Sequence, residues 1–336
     1  MRPFMVSLIA AAAFSAHAWA QQAPLKTTPQ IQQAIVAGNW QELAELTAAW
    51  QEREPQSLLA SYLAAEAYFR LGQPSRALRV WGPMFDALYR DPASVAPLAV
   101  WGRELVSQHP RVPAVWSILS NTLWLTGDYE GAVGAAQRAV LLDPDDPHAY
   151  SNRAWAYYQA GDYDQAVADL TTAIKLKPGF AEAHYGRAQA HAATGDLEAA
   201  FKDYERALEL VPDYGEAYYA RGLLHLNDRD LDQAIADFTR AIELEPWFAW
   251  FYYDRATAYY RKKAYDRAAE DFARAVEIYP WDAWGWFHKG RACRQAGRTQ
   301  EAIDAFRQFM ELAPERGMAW RIPEARALLR ELGAGE

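Results

Sequence analysis

The sequence predicts an all-α fold of stacked helix-turn-helix repeats, and three observations carry that prediction. Prolines stand at 110, 144, 178, 212, 246, 280 and 314, each 34 residues after the last. A fixed period of that length marks a stacked repeat array. Units of 34 residues start at Pro113, Pro147, Ala181, Gly215, Ala249 and Ala283. Position 8 of each is small (Ser120, Ala154, Ala188, Gly222, Ala256, Gly290) and position 20 is alanine (Ala132, Ala166, Ala200, Ala234, Ala268, Ala302). Small residues at fixed places let two helices approach closely, and the large position-24 residues Leu170, Tyr204, Phe238, Phe272 and Phe306 fill the space they leave. Finally, Gly127-Asp128, Gly161-Asp162 and Gly195-Asp196 punctuate the units. Glycine suits the left-handed residue after one helix, and aspartate caps the next.

Composition agrees with a packed chain. Of 336 residues 51 % are apolar and 23 % charged, enough to bury a core. The net charge of -9 argues against a broad phosphate-neutralising face, so nucleic acid is not an expected partner. The single cysteine, Cys293, excludes an intramolecular disulfide and a thiolate cluster. The 14 Trp, 19 Tyr and 13 Phe are many for this length and need an explanation by position.

In chain order, residues 1–20 read as a secretory signal peptide. Arg2 supplies the positive start, Phe4 to Phe14 the apolar run, and Ala18-Trp19-Ala20 the cleavage site before Gln21. No later segment approaches the roughly 20 uninterrupted apolar residues of a membrane span, so the mature chain is expected in the periplasm or secreted. Residues 21–91 hold two divergent repeats. The first has Gly38-Asn39-Trp40 at its turn and Pro55 at position 32; the second has Gly72, Ala77 and Trp81 at positions 15, 20 and 24. They stand 21 residues out of phase with the main array, so residues 92–112 read as an inserted helix and Pro110 is in step by coincidence. A competing frame over 79–112 puts Gly82, Asp86 and Gly102 at key positions, where they fit poorly. Six regular units follow over 113–316, and residues 317–336 form a C-terminal capping helix, polar with Arg326, Arg330 and Glu331 as an open stack end requires.

These residues and their spacing resemble the tetratricopeptide repeat (TPR) family. The resemblance implies a right-handed α-solenoid whose concave groove, lined by the first helix of each unit, binds a protein or peptide. At position 7, where the family usually has leucine, this chain has Arg153, Arg187, Arg221 and Arg255. The same four units carry Asp169, Asp203, Asp237 and Asp271 at position 23; the first and last units lack both. Arginine and aspartate come and go together, so we read them as repeated ion pairs between helices, in which the guanidinium fork satisfies a half-buried carboxylate.

The groove positions of the family fall on Asn121, Trp124, Ser151, Asn152, Trp155, Tyr158, Tyr185, Gln189, Tyr219, Trp250, Tyr253, Tyr260, Trp284 and Phe287. As a set these residues point to binding, because aromatic anchors dominate interface energetics. Trp116, Tyr150, Tyr157, Tyr252, Tyr259 and Trp286 fall instead on the core positions 4 and 11. Some family members clamp a terminal carboxylate with two asparagines and several cations. Asn121 and Asn152 match the asparagines, but Ser117, Glu182 and Gly186 replace the cations, and Glu182 would repel a carboxylate. Arg261, His288, Arg291 and Arg294 make the C-terminal end of the groove basic, whereas Glu182, Glu216 and Asp254 make its middle acidic.

No catalytic or cofactor motif is present. His184, His191 and His225 occupy core positions without metal-ligand spacing, and Cys293 takes the same kind of position. The sequence therefore predicts an exported scaffold or adaptor for a protein or peptide, without enzymatic activity, cofactor or metal. The alternative is a glycan-handling component of envelope or exopolysaccharide machinery, with groove aromatics stacking on a polysaccharide. The binding surface is expected to centre on the last three repeats.

Overall fold

The computed structural model describes residues 26–81, 92–314 and 316–334. The signal peptide expected at 1–20 lies outside them. All regular structure among the described residues is helical, and it falls into two compact units, residues 1–212 and 213–336.

The first unit opens with α1 (Pro29–Ala37), α2 (Trp40–Arg53) and α3 (Leu58–Arg70). Gly38 turns between α1 and α2 at φ 65°, and the Asn39 side chain accepts from Glu42 N at 3.2 Å to start α2. A helix α4 covers the described residues 74–81. After a 3-10 turn at Pro92–Val95 comes α5 (Ala96–Gln108), the helix expected within 92–112. It is part of the core. Leu98, Trp101 and Leu105 share one apolar cluster with Tyr62 of α3 and with Val115 and Ile118 of α6 (Pro113–Leu125). A Cβ at Gly102 would lie 2.7 Å from Thr122 Oγ1, so α5 touches α6 at a point where only glycine fits.

Regular pairs follow: α6 with α7 (Tyr129–Leu142), α8 (Pro147–Ala160) with α9 (Tyr163–Leu176), and α10 (Ala181–Thr194) with α11 (Leu197–Leu210). In the second unit α12 (Gly215–Asn227), α14 (Ala249–Arg261) and α16 (Ala283–Gln295) pair with α13 (Leu231–Leu244), α15 (Tyr265–Ile278) and α17 (Thr299–Leu312), and α18 (Ile322–Glu331) ends the chain. Each helix packs against its partner and, within a unit, consecutive pairs stack.

The local reasons are those of the sequence, with one exception. Asp128 and Asp196 accept from Gly131 N at 2.9 Å and Ala199 N at 3.2 Å, and all six position-20 alanines are fully buried. The residue before a periodic proline is forced out of helical geometry, as at Lys177 with φ -135° and ψ 87°, which ends the second helix; only Ala313, before Pro314, stays helical at φ -58° and ψ -39°. The exception is the turn glycine. Where it is missing, Arg229 and Lys263 adopt the same left-handed backbone, at φ 66° and 63°. Packing of the two flanking helices therefore imposes the turn even on residues that disfavour it.

Candidate functional site

The position-7 arginines are the best defined polar groups of the stack. Arg153 donates through Nε and Nη2 to Asp169 at 2.7 and 2.6 Å, Arg187 to Asp203 at 2.7 and 2.8 Å, Arg221 to Asp237 at 2.9 and 2.7 Å, and Arg255 to Asp271 at 2.8 Å twice. Each fork joins the first helix of a unit to its own second helix. A third bond reaches back to the preceding pair: Arg153 Nη1 donates to Gln137, Arg187 Nη1 to Thr171 at 3.1 Å and Arg255 Nη1 to Thr239 at 3.0 Å. Those acceptors share position 25 of their units, a regularity that no pairing of opposite charges would disclose.

The pairs titrate differently for a visible reason. Burial alone would raise the Asp203 carboxyl, but bonds from Arg187 and His184 hold it below its usual range. His184 Nδ1 lies 3.2 Å from Asp203 Oδ1 and fills an otherwise aromatic position. At Asp271 burial outweighs Arg255, and the carboxyl is pushed up. With both bidentate partners satisfied inside the stack, these arginines do not form an anion site.

The groove positions divide into four groups. At the N-terminal end, Asn121 and Trp124 are committed to the chain itself. Asn121 Nδ2 donates to Glu66 Oε2 at 2.9 Å, and Glu66 Oε1 accepts from Arg70 Nε at 3.0 Å. Arg70 also reaches Asp146 at 2.9 Å and lies 4.9 Å from the Trp40 ring centre, while Trp124 stacks on Trp81 at 6.4 Å. The asparagine expected to face a ligand thus holds a carboxylate of α3. Sequence reasoning missed Glu66 and Arg70; their signal is an i, i+4 charged pair inside the apolar run of α3.

In the middle, Trp155 lies between Tyr158 at 5.8 Å and Tyr185 at 6.1 Å, and Gln189 donates to the Tyr185 hydroxyl. Trp155, Tyr158, Asn152 and Gln189 are half-buried. Ser151 and Tyr185 are buried, which removes them from an open surface; Tyr185 is covered because it also packs on Tyr204 at 5.9 Å. Glu182, one turn before Tyr185, is 7 % exposed, and burial pushes its carboxyl up to about 7 against a backbone hydrogen bond and Lys177.

In the second unit Tyr219 donates to Asp254 Oδ2 at 2.7 Å. Burial raises Asp254 to about 6 against the pull of Tyr219 and Arg261, and burial alone raises Glu216 to about 7. Both stay partly open to solvent, so protein packed around them, rather than complete coverage, withholds water from them. Trp250 stacks on Tyr279 at 6.2 Å, Tyr253 meets Phe272 at 5.2 Å and His288 at 5.6 Å, and Tyr260 carries the Arg291 guanidinium 5.4 Å from its ring centre.

The last repeat departs from expectation. Phe287 is fully buried between Phe306 and Phe309 at 5.9 and 5.1 Å and belongs to the core. Trp284 is covered by Arg321, whose guanidinium stands 4.9 Å from its ring centre. The segment leading into α18 lies on the face that a further helix pair would otherwise cover. Trp284 and Phe287 are therefore contacts of the chain's own end.

Among the described residues, no three His, Cys, Asp or Glu side chains gather as a metal site, and no helix is long and apolar enough to cross a membrane. Cys293 is buried, and burial pushes its thiol up.

Models of the tetratricopeptide repeat match residues 58–83, 98–147, 151–215, 219–283 and 283–316. The match at 98–147 begins inside α5. Comparison with curated proteins gives no match. Among solved structures, the chain resembles the Cut9–Hcn1 hetero-tetramer of the APC/C, with a TM-score of 0.61 at 18 % identity over 90 % of this chain; it spans 54 % of that one. It also resembles the C-terminal part of a TPR repeat-containing protein from Cytophaga hutchinsonii, with a TM-score of 0.51 at 20 % identity, over 64 % of this chain and 84 % of that one. At these identities the likeness is one of fold.

Proposed function

Because the chain belongs to the tetratricopeptide repeat family, whose fold is a scaffold for protein–protein interaction, we propose that it is an exported adaptor that binds a protein or peptide on its first-helix faces. The observation that carries this reading is the half-buried aromatic and amide surface at Trp155, Tyr158 and Gln189 in the first unit and at Tyr219, Trp250 and Tyr253 in the second. These rings are held by neighbouring rings and hydrogen bonds before any ligand arrives, so binding costs the protein little side-chain ordering. The basic start, apolar run and Ala18-Trp19-Ala20 site support the export part of this reading.

In-cell cross-linking through a photoreactive residue at Trp155 or Tyr253, followed by mass spectrometry, tests the binding surface. A partner captured at both and absent in an uncleaved cytoplasmic form supports the reading. N-terminal sequencing that starts at Gln21 supports export; a retained Met1 rejects it. Quenching of tryptophan fluorescence by oligosaccharides, with no protein captured, turns the function to glycan handling.

A further inference from the structure

Within the second unit, two bonds fix the register of α12 against α14. Tyr219 OH donates to Asp254 Oδ2 at 2.7 Å, and Arg261 Nη1 donates to Leu226 O at 2.9 Å. Both join residues 35 apart, so each α12 residue lies beside the α14 residue 35 later. By this register Glu216, one turn before Tyr219, lies beside Phe251, next to Trp250. Trp250 and Asp254 in turn share a face of α14 at i, i+4. Glu216, Tyr219, Trp250 and Asp254 thus make one patch, two carboxylates and two rings, all half-buried.

The Trp250 ring has rings for chain neighbours, Phe248 at 4.5 Å and Tyr279 at 6.2 Å, whereas one repeat later the chain brings a cation to the same position. Trp284 stands 34 residues after Trp250, and His288 replaces Asp254. There the Arg321 guanidinium lies over Trp284 at 4.9 Å and Phe287 at 5.1 Å, and its charge is met by Glu324 of α18. The last repeat, with no groove carboxylate, receives an internal arginine that brings its own counter-charge. The preceding repeat has the tryptophan and the carboxylates together.

We propose that the partner enters this patch with an arginine side chain, its guanidinium stacked on Trp250 and its charge received by Asp254 and Glu216. A planar guanidinium suits both surfaces at once, since it stacks on an aromatic face and forks onto a carboxylate; the compact ammonium of lysine does only the second well. Charge complementarity supports the assignment: burial raises both carboxyls, Asp254 even against Tyr219 and Arg261 and Glu216 with nothing opposing it, and a cation would supply the compensation that water does not. This proposal rests on the binding surface proposed above and specifies its occupant.

The test uses the full mature chain and blocked hexa-arginine, hexa-lysine and hexa-glutamate peptides, titrated by calorimetry at 150 mM salt. Hexa-arginine is expected to bind more tightly than hexa-lysine, and hexa-glutamate not at all. Glu216→Gln with Asp254→Asn, which keeps an acceptor for Tyr219, is expected to weaken hexa-arginine about tenfold or more, roughly the value of one well-placed charged contact. Asp266→Asn with Glu311→Gln, which removes two exposed acids from second helices, is expected to leave binding unchanged. Equal loss in both double variants means attraction to overall negative charge and overturns the proposal, as does preference for hexa-glutamate. Capture at Tyr253 of a segment lacking arginine overturns the arginine and leaves the surface standing. Capture only at second-helix positions overturns the surface itself. Circular dichroism of both variants establishes that they are folded before titration.

Discussion

Glu182 shows how one buried acid couples the stack to pH. Its carboxyl is raised to about 7 in the folded chain, against about 4.3 when unfolded. Between those values the folded state binds the proton more tightly, so the contribution is fully present below about pH 4.3 and is lost as pH rises through about 7. Glu182→Gln removes the ionisable group, and urea midpoints should show a gain of about 2–3 kcal/mol at pH 8 with little change at pH 4.5. Equal gains at both pH values would contradict a titration origin. The Arg221–Asp237 pair is a bidentate unit whose two partners satisfy each other. Arg221→Met alone should cost about 1–3 kcal/mol, discounted because Arg221 is 22 % exposed, since it strands a buried carboxylate. Arg221→Met with Asp237→Leu should cost less than the sum of the single changes, and a double-mutant cycle by denaturant unfolding reads the coupling. These partners were legible in sequence because arginine and aspartate vary together. Gln137, Thr171 and Thr239, the third partners, were not, because they share a position rather than a charge.

Helix pairing depends on matched small and large residues more than on any polar contact. A Cβ at Gly290 would lie 2.7 Å from Phe306 Cε1, on a fully buried ring that must shift to admit it. Gly290→Ala gains about 1 kcal/mol of helix propensity but meets an overpacking cost of about 1–3 kcal/mol. Thermal unfolding should therefore show a net loss, and Phe306→Leu should recover part of it in combination, as Ala154 opposite Leu170 manages natively. A gain in stability from Gly290→Ala alone would mean that the ring moves freely. The turns teach the complementary lesson. Glycine predicted them at 127, 161 and 195, yet Arg229 and Lys263 make the same turn without it. Flanking helices that are already paired leave the connecting backbone no other path.

At the scale of the whole molecule, a repeat stack has no long-range core, so its ends should open before its middle. Cys293 reports on one end, being buried with a raised thiol in a cluster that includes Ala325 and Leu329 of α18. Labelling by a thiol reagent should begin at a lower urea concentration than the loss of helical circular dichroism. Coincident transitions would mean that the terminal repeat unfolds with the rest. The 34-residue period, the small-to-large matching and the paired charges determined the helices and their partners from sequence alone, because each is a contact between residues at fixed separation along the chain. The covering of Asn121 by Glu66, of Trp284 by Arg321 and of Phe287 by Phe306 and Phe309 was decided only in three dimensions. Glu66 comes from α3, Arg321 from the segment before α18 and the two rings from the facing side of α17, and the period that makes the repeats readable carries no information about which of these side chains closes over a groove position.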